Sequence, residues 1–184
     1  MIEISFWTAE LIFAAIWLIV RIVVWIVCGR IDLRREALLL LMYINLAVII
    51  RFTFFPMELV DGKVQPLVFD ASQIYPFKLN LIPFTNLFAF AGTKETLLNI
   101  IGNVAMFIPS GIVLPIVYKR LDSFWKTVAA GAAISLCIEL IQLLFYTRTT
   151  DANDLILNTL GVMIGYGIYA LIKKLSRRKE AKDA

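Results

Sequence analysis

Residues 4–28 read ISFWTAELIFAAIWLIVRIVVWIVC, an apolar run interrupted by only two charged side chains, Glu10 and Arg21. A helix crossing the roughly 30 Å hydrocarbon core of a bilayer needs about 20 such residues, so this run reads as a transmembrane helix. It exceeds the ~7–15 apolar residues of a signal-peptide core. Glu3 and Glu10 also stand where a signal peptide would be basic, so the run is expected to stay in the mature protein.

Four further runs meet or approach spanning length, at residues 37–55, 96–118, 125–146 and 154–172. The composition agrees. Hydrophobic residues make up 60% of 184, charged residues 17%, and the mean hydropathy is +0.82. Soluble domains hold roughly 45–50% apolar and about 25% charged residues, and a chain this short could not hide the excess in one core. The expected fold is an all-α membrane bundle of about five helices. Its parts are a first helix and cytoplasmic loop over 1–36, a membrane domain over 37–175 that includes an outer segment at 56–95, and a charged cytoplasmic tail at 176–184, expected to fray.

Basic residues decide orientation, because Lys and Arg are retained on the cytoplasmic side. Arg30, Arg34 and Arg35 follow the first run, Lys119, Arg120 and Lys126 lie between the third and fourth, and the tail carries Lys173, Lys174, Arg177, Arg178, Lys179 and Lys182. All three groups fall on one side. The N-terminus is therefore expected outside the membrane and the C-terminus on the cytoplasmic side, with Trp7, Trp25 and Trp125 near span ends as interfacial anchors. The net charge of +4 is accounted for by these anchors, and no nucleic-acid motif accompanies them. In the outer segment, residues 79–92 (LNLIPFTNLFAFAG) are apolar, too short to span and interrupted by Pro83, as in an interfacial or re-entrant piece.

The chain has no histidine, which excludes Ser-His-Asp triads and His-bearing zinc sites. Cys28 and Cys137 sit inside apolar runs as small hydrophobes, and no metal or cofactor is expected from any ligand-like spacing. Intramembrane polar residues are costly and so become candidates for function. Asn99 and Asn103 are four apart, Glu139 and Gln142 three apart, and Asp154 and Asn158 four apart, each pair on one helical face. All three pairs fall in the outer half of the expected bundle. Arg51 can join them, with Arg148 and Asp151 in the link above. Arg148 follows Glu139 by nine residues, which at a helical rise of about 1.5 Å per residue places Glu139 about 13 Å below that link, near the midplane.

The reading is an outer-leaflet polar cavity floored by Glu139 and roofed by Arg148, Asp151 and Asp154, although Asn and Gln also fasten helices together without further function. Asp151 and Asp154 suit the start of the fifth helix. Arg21 has no evident partner and is expected to snorkel. Gly161 and Gly165 form a close-packing step, and Pro109 and Pro115 are expected to kink the third span.

These residues together resemble the VanZ family of bacterial membrane proteins. The resemblance rests on Asn80-Leu81-Ile82-Pro83-Phe84, on Asn99 with Gly102-Asn103 leading to Phe107-x-Pro109-x-Gly111, and on Glu139-x-x-Gln142. The longest piece is Arg148-x-x-Asp151-x-x-Asp154-x-x-x-Asn158-x-x-Gly161. It implies an envelope protein associated in some members with teicoplanin-type glycopeptide and lipoglycopeptide resistance. Its ligand-binding set would be Arg51, Asn80, Asn99, Asn103, Glu139, Gln142, Arg148, Asp151, Asp154 and Asn158.

Three functions fit. The first is a non-enzymatic cavity for a lipid-linked cell-wall precursor or lipidated ligand. The second is an intramembrane enzyme on a lipid-linked substrate, with Glu139 and Asp154 as acid/base pair and an arginine on phosphate. The third is a proton-coupled transporter using Glu139, against which the lack of an inverted repeat argues. Membrane lipids are expected partners, and a homo-oligomer is compatible with each.

Overall fold

The structure is a computed structural model that describes residues 1–55, 59–60, 62–73, 75–83, 94–145 and 147–183. It contains five helices long and apolar enough to span a membrane: α1 (Phe6–Cys28), α2 (Leu33–Phe54), α3 (Lys94–Val117), α4 (Phe124–Gln142) and α5 (Ala152–Asp183). Short strands join them: β1 (Ile2–Ile4), β2 (Leu59–Val60), β3 (Lys63–Val64), β4 (Leu67–Phe69), β5 (Leu79–Asn80) and β6 (Thr150–Asp151).

Local chemistry sets the helix ends. The Ser5 hydroxyl accepts the Thr8 amide at the start of α1, and Gly29, at φ 64°, closes its end by donating to the Trp25 carbonyl. The Asp32 carboxylate accepts the amides of Arg34 and Arg35 to open α2. Phe55 ends α2 in an extended conformation, the geometry that Pro56, next in sequence, favours for the residue before it.

The chain divides into two compact units, residues 1–81 with 138–151 and residues 82–137 with 152–184. In the first, α1 and α2 form a hairpin joined by a stack of Phe13 on Tyr43 at 5.2 Å and by an ion pair of Arg21 with Glu36. Arg21, which had no evident partner in the sequence, has one here: its Nε donates to one Glu36 oxygen at 2.9 Å and its Nη2 to the other. α1 buries no residue, and side chains such as Leu11 and Ile26 are left for hydrocarbon. β1 pairs antiparallel with β4, Ile2 opposite Phe69 and Ile4 opposite Leu67, which ties the N-terminal residues to the outer segment. β2 and β3 form a hairpin with Gly62 at φ 71°. Residues 84–92 of the expected interfacial piece lie outside the described residues, while its first two, Leu79 and Asn80, are strand β5.

In the second unit α3 packs along α5 through glycines. A Cβ on Gly161 would stand 2.2 Å from the Val104 carbonyl oxygen and one on Gly165 2.1 Å from that of Ile108, so the expected close-packing step is present. α3 is assigned as one helix through Pro109 and Pro115.

Two expected boundaries move. The tail continues α5 as far as Asp183, since its Lys, Arg, Glu and Ala are good helix formers and it has no Gly or Pro after Gly167. α4 stops at Gln142 instead of 146. The following apolar residues fold into tight turns, Leu144 donating to Ile141 and Phe145 to Gln142, and Phe145 packs edge-on against Phe54 at 6.0 Å.

Candidate functional site

In the first unit the expected residues gather around the last turn of α4. Glu139 is 3% exposed, and its carboxylate Oε2 accepts the Asp151 amide at 3.0 Å while its backbone carbonyl accepts the Thr150 hydroxyl at 2.8 Å. These bonds tie the last turn of α4 to β6, with Glu139 at the base. The expected depth of about 13 Å assumed a longer helix; Glu139 is three residues from the end of α4, about 4.5 Å along the axis.

That base is fastened to the outer segment. β5 and β6 pair in parallel, Leu79 opposite Thr150 and Asn80 opposite Asp151, and the Thr150 amide donates to the Lys78 carbonyl at 3.0 Å. The Asn80 Nδ2 donates to Asp151 Oδ2 at 3.0 Å, a charge-assisted bond between residues far apart in sequence.

Three other expected residues share one task. A helix leaves its last carbonyls without intrahelical donors, and a bilayer offers them no water. Gln142 Nε2 donates to the Thr53 carbonyl at 2.8 Å, Arg148 Nε to that of Phe54 at 2.9 Å, and Arg51 Nη1 to that of Phe55 at 3.1 Å. Both arginines place positive charge at the negative end of the α2 dipole. Arg51 also lies over the rings of Phe6 and Phe52, at 5.3 and 5.5 Å from their centroids. Among the described residues, no hydrogen-bond donor meets the buried Oε1 of Gln142.

In the second unit Asn103 donates to Asp154 Oδ1 at 2.7 Å and to Asn99 Oδ1 at 3.3 Å. Asp154 lies in the first turn of α5, where a carboxylate complements the helix dipole. Asn158 Nδ2 donates to Ser135 Oγ at 2.9 Å. Asn99 is exposed, whereas Asn103 and Asn158 are buried. Among the described residues no cluster of three or more Cys, Asp or Glu could hold a metal.

Sequence reasoning missed Thr150 and Ser135, which hold the Glu139 carbonyl and Asn158. Ser135 is a hydroxyl inside an apolar run, a signal that was there to use; Thr150 carries none.

A family model described as VanZ/LLP1 matches residues 39–173, from within α2 through most of α5. The chain belongs to the VanZ family. It is also 34% identical over 122 residues to Protein VanZ of Enterococcus faecium, an alignment covering 66% of this chain and 71% of that protein. No solved structure matches the chain. Family membership and five apolar helices make this a multi-pass membrane protein. The VanZ match contains every residue of both polar groups and leaves out α1, β1 and the Arg21–Glu36 pair.

Proposed function

We propose that this VanZ-family chain lowers the action of teicoplanin-type antibiotics at the bacterial plasma membrane, by binding a lipid-linked cell-wall precursor or lipidated ligand without transforming it. The observation that carries the reading is the junction of β5 with β6. It brings the amide of Asn80, the carboxylate of Asp151 and the buried carboxylate of Glu139 into one hydrogen-bonded row. Convergent polar groups among apolar walls are what an amphiphilic ligand requires. In this reading Asn80, Glu139 and Asp151 serve ligand, while Arg51, Gln142 and Arg148 keep the end of α2 closed beside them. Asn99 is the exposed member of the second polar group and its proposed point of ligand contact, with Asn103, Asp154 and Asn158 behind it.

The distribution of Lys and Arg supports an extracytoplasmic N-terminus and link with a cytoplasmic C-terminus. Reporter fusions at residues 1, 62, 122 and 184 test this, the first two expected outside and the last two inside.

The decisive test is teicoplanin susceptibility of a sensitive host expressing wild type or Glu139→Gln at matched membrane levels. Gln retains an oxygen that can accept the Asp151 amide, so that bond to the loop is preserved while the carboxyl group is removed. Wild type is expected to protect and Glu139→Gln to fail. Equal protection by both would overturn the assignment of Glu139. A modified lipid found by mass spectrometry after incubation with purified protein would move the activity to catalysis.

A further inference from the structure

The charged continuation of α5 is built differently from a simple anchor. Through Ile172 the helix is mostly apolar, and the next ten residues carry Lys173, Lys174, Arg177, Arg178, Lys179 and Lys182 against one acid, Glu180. Four of these cations share a face with two tyrosines. Tyr166, Tyr169, Lys173, Lys174, Arg177 and Arg178 line a groove of about 420 Å³. Ala170 and Ala181 give it room between the long side chains.

The inner wall is held rigidly. The Lys173 ammonium donates to one oxygen of Asp122 and lies 5.4 Å from the Tyr169 ring centroid, while the Tyr169 hydroxyl donates to the other Asp122 oxygen at 3.1 Å. Asp122 thus compensates Lys173 and fixes its position. Among the described residues, Lys174, Arg177 and Arg178 form no ion pair, so the outer part of the groove is positive and uncompensated.

Aromatic side chains set its depth. Tyr166 packs against Tyr169 and against Phe124, each at 5.7 Å between centroids, and Trp125 beside Phe124 is 74% exposed. Tyr and Trp with one wet and one apolar end settle at the membrane interface. The groove therefore begins at the interface and its basic half opens at headgroup level, where phosphate is the abundant anion. Guanidinium forks suit phosphate oxygens, and lysines add point charge.

We propose that this groove is a binding site for the phosphate headgroup of an anionic glycerophospholipid in the leaflet on the basic side. The tyrosine end meets the glycerol and upper acyl region, and Lys174, Arg177 and Arg178 surround the phosphate.

The purified full chain, in mild detergent, is titrated with phosphatidylglycerol, cardiolipin, phosphatidylcholine and inorganic phosphate, with bound lipid read by native mass spectrometry. Phosphatidylglycerol and cardiolipin are expected to be retained over phosphatidylcholine. A charge-assisted contact to phosphate is worth about tenfold or more in affinity, so the double variant Arg177→Ala/Arg178→Ala, which removes two of them, should weaken binding about 100-fold. The double variant Lys179→Ala/Lys182→Ala removes the same charge outside the groove and should bind within about twofold of wild type. Equal loss in both double variants would reduce the site to diffuse charge and overturn it. So would equal retention of phosphatidylcholine, or displacement of the lipid by inorganic phosphate at comparable concentration.

Discussion

Alanine at Gly165 and alanine at Gly167 should have different effects on stability, although the two positions are only two residues apart on α5. An ordinary contact begins at 3.4 Å, and a Cβ at Gly165 would stand 2.1 Å from the Ile108 carbonyl oxygen, about 1.3 Å too close. The obstacle is backbone, and Gly111 Cα lies 3.0 Å away on the same side, so no side-chain rotation relieves it. α3 and α5 must separate by about 1 Å, and a gap of 0.5–1 Å already forfeits a quarter to a half of each dispersion contact it opens. Overpacking of this kind costs about 1–3 kcal/mol, and rigid walls put Gly165→Ala at the upper end. Gly167 meets nothing within 4 Å, so Gly167→Ala should be neutral or gain up to about 1 kcal/mol from helix propensity. Unfolding by SDS titration in mixed micelles measures both. If Gly165→Ala proves as stable as Gly167→Ala, the close approach of α3 to α5 is refuted.

Arg21→Ala, Glu36→Ala and the double variant should yield a coupling of at least about 1 kcal/mol in the same assay, since the pair is bidentate and only 12% and 19% exposed; a coupling near zero would refute a bonded pair. Arg148→Ala should cost about 1–3 kcal/mol by leaving the Phe54 carbonyl without this donor, and unchanged stability would remove Arg148 from the α2 end. The hydrogen bond from Lys173 holds the Asp122 carboxyl below its ordinary value of 3.8. A depressed carboxyl stabilises the fold above that value and loses the effect as pH falls through its folded value. The stability difference between wild type and Asp122→Asn should therefore be full at neutral pH and shrink below about pH 4, and a pH-independent difference would contradict the pairing.

How much could be read beforehand follows from what kind of signal each feature leaves. The spans depend on local hydropathy, so all five were legible with boundaries off by up to four residues, except the end of α5, which continues from the expected 172 to 183. The Gly161–Gly165 step and the Asn99–Asn103 pairing are relations within one helical face and were equally legible. β5 and β6 are two residues each, too short for any alternation, so the Asn80–Asp151 bond was invisible although both residues stood out. The end of α4 was misjudged because Leu143, Leu144 and Phe145 are as apolar as a span, and only the packing of Phe145 on Phe54 reveals their use. Arg21 seemed alone because its partner, Glu36, reads as a helix-start carboxylate.

The end of α2 also implies an order of manufacture. Its carbonyls at Thr53 and Phe54 receive donors from Gln142 and Arg148, 89 and 94 residues later in the chain. During synthesis the α1–α2 hairpin can enter the membrane long before those donors leave the ribosome. Until then the polar tip of α2 must be served by water or insertion machinery, since hydrocarbon offers no donors. Biogenesis factors would thus meet a half-finished hairpin whose exposed tip reports that residues 142–148 have not yet arrived. A nascent chain stalled before that segment should remain cross-linkable at Phe54 to the insertase and be released once the segment has emerged.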